Sequence, residues 1–281
     1  MKIDSHHHIW DLEIHPQEWM GGPNYDVVRK NFLMKEFREH SVGCAIDKTV
    51  LVQTVMNYKE TPDYLGVADK DPLVAGVVGF IKMDAEDAIK HLDGYQSCAG
   101  FEKLVGIRDM AHFYSDPNYL AKPQVIKNCQ ELGRRGIAYD LLTKTPEMTA
   151  ALALIKECPD TTFVVDHISK PLIADQVFEP WTSLIKEIAS FPNVYCKVSG
   201  MVTEADWENW KVLDFKPYVE TIIESFGPKR MMFGSDWPVA LLASTYKGVV
   251  ELAEELTRAF SQSEKDEFWA GSAIRAYSLK I

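Results

Sequence analysis

The chain of 281 residues carries 46% hydrophobic and 25% charged side chains, the proportions of an ordinary globular protein with a sizeable buried core. Against 30 basic residues stand 41 acidic ones, a formal charge of -11, which disfavours nucleic acid and anionic membrane surfaces as partners. No apolar run approaches the roughly 20 residues of a membrane span, the first residues lack a signal-peptide h-region, and five cysteines without a C-x-x-C pair fit a reducing cytoplasm.

Taken in chain order, short apolar runs alternate with amphipathic ones. A strand is expected at Ile3 to Ile9, a helix at Met34 to His40, and strands at Lys48 to Val55 and Val74 to Met83. Next come a helix at Ala85 to Leu92, a strand at Leu104 to Met110 and a helix at Gln124 to Leu132. The pattern continues with a strand at Gly136 to Leu142, a helix at Pro146 to Glu157, a strand at Thr162 to Ser169 and a helix at Trp181 to Ala189. Strands at Val194 to Gly200 and Met231 to Trp237 flank a helix at Tyr218 to Phe226, and the tail after Ser261 reads as one extra helix. Several strands are apolar on both faces, as in a buried parallel sheet. Eight repeats without a linker or composition break predict one (β/α)8 TIM barrel over residues 1–281. The rival is a doubly wound open sheet, but no Gly-rich turn follows the first strand, so no nucleotide cofactor is expected.

In such a barrel the chemistry sits at the C-terminal strand ends. The first strand ends Asp4-Ser5-His6-His7-His8-Ile9-Trp10, and a period of two places His6 and His8 on one face with His7 on the other. Two imidazoles on one wall suit a metal or a polarised carbonyl. The sixth ends with His167 and the eighth with Asp236. Alone, His167 is equally a core histidine and Asp236 a helix cap. Together, H-x-H, a later histidine and a final aspartate match a hydrolase site assembled from separate strands. Arg108, Tyr139 with Asp140, Lys197 with Ser199, and Gln53 stand at other strand ends, where each either binds a polar substrate or makes a structural ion pair or hydrogen bond. Trp10, Trp19 and Trp237 either stack on a sugar-like ring or belong to the core.

Asp4 to Asp11, Val50 to Thr54, Gly76 to Phe80, Val105 to Arg108, Asp166-His167-Ile168-Ser169-Lys170-Pro171, Cys196 to Gly200 and Phe233 to Val239 together resemble the amidohydrolase superfamily, specifically its sugar-lactonase branch of L-fuconolactonase, L-rhamnonolactonase and pyrone-dicarboxylate lactonase. The resemblance implies a hydrolase that opens a sugar-acid lactone such as an L-fucono- or L-rhamnono-lactone, with a small-molecule substrate and a place in carbohydrate catabolism. It implies either no cofactor or one divalent ion, zinc first, held by His6, His8 and Asp236. Asp236 would then serve as base and acid, His6, His8 and Arg108 would stabilise the oxyanion, and His167 would orient water. Tyr139, Lys197, Gln53 and Trp237 would contact the substrate. Two departures stand out: no lysine occupies the end of strand four or five, where relatives bridge two metals with a carbamylated lysine, and Asp109 follows Arg108 where fuconolactonase-like members usually carry histidine. The alternatives are a metal-dependent amidohydrolase or decarboxylase and, last, a noncatalytic sugar-acid binding protein. Homo-oligomerisation is left open.

Overall fold

The computed structural model describes residues 1–281. Eight parallel strands follow one another around the sheet in chain order: β1 Ile3–His7, β2 Lys48–Val52, β3 Val74–Gly79, β4 Leu104–Arg108, β5 Ala138–Leu141, β6 Phe163–Val165, β7 Val194–Val198 and β8 Met231–Phe233. Closure occurs just beyond β8, where His8 donates its backbone N–H to the Trp237 carbonyl at 2.7 Å and Asp236 to the His6 carbonyl at 2.8 Å. A TIM barrel results, and the open sheet is excluded. The register slips between Asp4 and His7 in the pairing of β1 with β2.

Ten α-helices are distributed around it: α1 Met34–His40, α2 Glu60–Lys70, α3 Ala88–Gly94, α4 Pro123–Arg134, α5 Met148–Glu157, α6 Trp181–Ala189, α7 Val212–Phe226, α8 Tyr246–Leu256, α9 Gln262–Asp266 and α10 Ser272–Tyr277. None is long and apolar enough to cross a membrane. Alternation along the strands divides the core in two. Leu51, Val77, Ile107, Phe163 and Cys196 face the helical layer, whereas Val50, Val52, Val78, Val164 and Met232 face the barrel interior. Both sets are buried, which is why these strands read as continuous apolar runs.

The tail departs from the expectation of one helix. Ser261 and Glu264 form a capping box that starts α9, but Glu267–Gly271 widen into a π-helical turn before α10. This path lays Ala270, Ala273, Ala276, Tyr277 and Leu279 against the inward residues of the barrel, so the tail fills the barrel interior from below. The strands also end earlier than the apolar runs suggest. At β6 and β8 the chain leaves the ladder before the candidate site residues: His167, Ile168, Ser169 and Lys170 all take positive φ, as does Asp236 at 56°.

Candidate active site

His6 and His8 turn inward while His7 turns out, its Nε2 bonded to Thr49 Oγ1 at 3.0 Å and its ring packed 4.3 Å from that of Phe37. The inward pair converges, with the two Nε2 atoms 3.2 Å apart. Asp236 completes the group: its Oδ1 lies 3.3 Å from His8 Nε2, 3.8 Å from His6 Nε2 and 3.7 Å from His167 Nε2. Residues 228 positions apart thus meet through barrel closure.

The outer ring atoms are tied down. His8 Nδ1 donates to the Val52 carbonyl at 2.8 Å, leaving the Nε2 lone pair aimed at the centre. His167 Nδ1 bonds Ser199 Oγ at 2.8 Å. Gly200, with φ of 60°, sits so close that a Cβ there would lie 2.5 Å from His167 Nδ1. The strand-end glycine therefore leaves the space that the histidine ring occupies.

His6 rests on a buried ionic network. Asp166 Oδ1 lies 3.3 Å from His6 Nδ1 and 2.9 Å from Lys197 Nζ, while Asp166 Oδ2 accepts from Arg108 Nη1 at 2.9 Å. Arg108 Nη1 also lies 3.3 Å from His6 Nε2. Lys197 continues downward to Asp140 Oδ2 at 2.6 Å, and the Tyr277 hydroxyl donates to that oxygen at 2.7 Å. The tail thus supports the floor of the site.

Burial pushes His6 well below the usual imidazole range and His167 down to about 3, so both rings are neutral near pH 7. Burial alone would raise the Asp236 carboxyl. The facing His167, the close contact with His8 Nε2 and the nearby His6 outweigh it and hold Asp236 below the ordinary carboxylate range. Asp166 is likewise held well below that range: burial opposes its charge, but Lys197, His6 and Arg108 prevail.

Above this floor opens a cavity of about 330 Å³ lined by His8, Arg108, His167 and Asp236, with Trp10, Trp19, Tyr25 and Trp207 among its aromatic walls and Lys170 and Glu204 at its side. Of the residues expected to act at the site, His6 is not on the cavity wall but directly beneath it, with no exposed surface. Lys197 and Gln53 do not reach the cavity. Lys197 is the buried counter-ion of Asp140 and Asp166, and Gln53 donates its amide to the Arg108 carbonyl at 3.1 Å, bracing the arginine. Tyr139 and Trp237, expected to touch substrate, face outward instead. Tyr139 is buried in the helical layer near Phe163, and Trp237 packs against Phe32 and Phe37 at ring distances of 5.3 and 5.4 Å. Each lies beside an inward-facing neighbour, and alternation sends it to the other face.

Asp166, absent from the expected site, is the hub of the network. Its only sequence signal was its place before His167. The tail residue Tyr277 gave none, because its role depends on the π turn.

The donor set fits one divalent ion. His6, His167 and Asp236 offer ligand atoms that all lie within 4.8 Å of one another, His8 Nε2 is close by, and neutral imidazole with carboxylate suits a borderline cation such as zinc. A carbamylated-lysine bridge does not fit: β4 and β5 end in Arg108 and Asp140–Leu141, and the Lys197 ammonium is enclosed by two carboxylates.

Residues 3–279, nearly the whole chain, match the family described as Amidohydrolase. The chain belongs to the amidohydrolase family. An amidohydrolase fold with this site makes it an enzyme of the hydrolase type. Among relatives, the uncharacterized protein y4mH of Sinorhizobium fredii is 31% identical over 99% of this chain and 98% of its own. An L-fucono-1,5-lactonase of Burkholderia ambifaria is 31% identical over 87% of this chain and 83% of its own. A crystal structure of an amidohydrolase from Burkholderia multivorans with bound HEPES superposes with a TM-score of 0.93 at 28% identity, both chains covered in full, and one with bound zinc gives 0.92.

Proposed function

We propose that this amidohydrolase opens a sugar-acid lactone of the L-fucono- or L-rhamnono-lactone type to its aldonate. The observation that carries the reading is the ionised Asp236 facing three histidines at the floor of an aromatic-walled cavity, with the Arg108 guanidinium alongside. The L-fucono-1,5-lactonase relative supports the substrate class.

The ester carbonyl lies against Arg108, whose guanidinium donors face the oxygen that becomes an oxyanion. Water attacks the carbonyl carbon, and Asp236 accepts its proton. The tetrahedral intermediate collapses with cleavage of the bond to the ring oxygen. Asp236 returns the proton to that oxygen, giving the hydroxy acid, which ionises. His167, fixed by Ser199, orients the water, and His6 keeps the base in place from below. The tryptophan walls exclude bulk water and stack on the apolar face of a sugar ring. A single divalent ion held by His6, His8, His167 and Asp236, for which zinc is the first candidate given the zinc-bound relative, would polarise the carbonyl or the water when bound.

The test follows proton release with a pH indicator on L-fucono-, L-rhamnono-, galactono- and galactaro-lactones, before and after chelation. Hydrolysis of an aldonolactone above its spontaneous rate is expected. Silence across the whole panel overturns the reading. Activity lost on chelation and restored by zinc assigns the histidines as ligands, whereas activity that survives assigns catalysis to the side chains alone.

A further inference from the structure

The cavity is notable for how completely its positive charge is cancelled. Its charged lining residues are Arg108, Lys170, Glu204 and Asp236. Arg108 is paired with Asp166 behind the wall, at 2.9 Å. Lys170 lies beside the opening, its Nζ 2.6 Å from Glu204 Oε1, with both side chains less than a fifth exposed. The left-handed turn from His167 to Lys170 aims this lysine at the same cavity as the catalytic histidine, and the Lys170 N–H closes the turn on the His167 carbonyl at 2.8 Å. Glu204 comes from the loop after β7, so the bridge joins two catalytic loops. Beside the pair, the Nδ1 of His112 is buried without a hydrogen-bond partner.

We infer that the Lys170–Glu204 bridge is a charge filter: it selects uncharged polyhydroxy lactones over counterparts that carry a carboxylate. An anionic substituent entering this cavity meets Asp236 and Glu204 and finds no unpaired side-chain cation. Binding it requires either desolvating the anion without compensation or breaking a partly buried ion pair. A primary alcohol at the same place loses little, because a hydroxyl can donate to Glu204. The inference rests on the lactonase reading and gives that site its selectivity.

The experiment compares D-galactono-1,4-lactone with galactaro-1,4-lactone, which differ by a terminal alcohol or carboxylate, in the parent protein and in Glu204→Gln and Lys170→Met. The parent is expected to favour the neutral lactone in kcat/KM by about tenfold or more. Glu204→Gln frees the lysine and narrows that ratio about tenfold. Lys170→Met leaves Glu204 alone and widens it. Opposite movements separate a charge filter from simple loosening of two loops, which would shift both variants the same way; thermal melts confirm that each variant is folded. A parent ratio within twofold of unity, or a ratio moved in the same direction by both variants, overturns the filter. If neither lactone is hydrolysed, the lactonase reading fails at this pair, and calorimetric titration with the same unreacted lactones decides the filter independently: tighter binding of the neutral one upholds it, while equal affinity, the reverse order or no binding overturns it.

Discussion

At the scale of single residues, the site depends on Asp236 and on what holds its partners. Asp236→Asn removes the proton acceptor while keeping the shape, and kcat is expected to fall about a hundredfold or more; near-normal turnover in a stopped assay would remove Asp236 from that role. Gly200→Ala acts at one remove. Its Cβ meets His167 Nδ1 at 2.5 Å and its φ is 60°, so a drop of about tenfold or more in kcat is expected, with destabilisation of about 1–2 kcal/mol from the left-handed backbone. Steady-state kinetics and a thermal melt on the same sample check both. Asp166→Asn leaves Lys197 and Arg108 buried beside a neutral amide, and a loss of about 3–5 kcal/mol is expected by urea unfolding. An unchanged midpoint would show that the network carries no net stability. That His6, His8, His167 and Asp236 would converge was legible because histidine and aspartate are costly to bury without a purpose, and H-x-H has a period that only a strand turns to one side. Asp166 was hidden because an aspartate before a histidine has no distinguishing period, and its meaning arises only when Arg108 and Lys197 arrive from other strands.

At the scale of elements, the apolar runs located all eight strands but overran their ends. Expected Thr162 to Ser169 became Phe163–Val165, and expected Met231 to Trp237 became Met231–Phe233. The reason is physical: backbone that must aim a side chain into a cavity twists out of the ladder, and hydropathy does not register that twist. Tyr139 and Trp237 were misplaced for a related reason, since proximity to a strand end does not determine which face a residue takes. The α7 helix starts at Val212, ahead of the expected Tyr218, where Asp214 Oδ2 accepts from the Lys211 backbone N–H at 2.7 Å and caps the first turn, and Pro217 lies inside the helix. The tail yields its own prediction. Tyr277→Phe removes the hydroxyl that donates to buried Asp140, and destabilisation of about 1–2 kcal/mol in chemical unfolding is expected. No change would mean that the tail holds the floor by apolar contact alone.

At the scale of the whole molecule, the barrel brings the two ends of its strand series together, and the proposed active site sits on that closure. The barrel was the most legible feature, because eight repeats of one pattern admit few other layouts. Its plugged interior was not, since the tail reads only as one extra helix and its π turn has no sequence signature. The same tail sets a condition on completeness. Tyr277 and Leu279 lie against strands that begin more than two hundred residues earlier in the chain. A chain cut short before Tyr277 would keep every strand and every histidine while losing the hydroxyl that donates to Asp140, so a variant ending at Gly271 is expected to retain the barrel yet turn over more slowly, which steady-state kinetics beside circular dichroism would register.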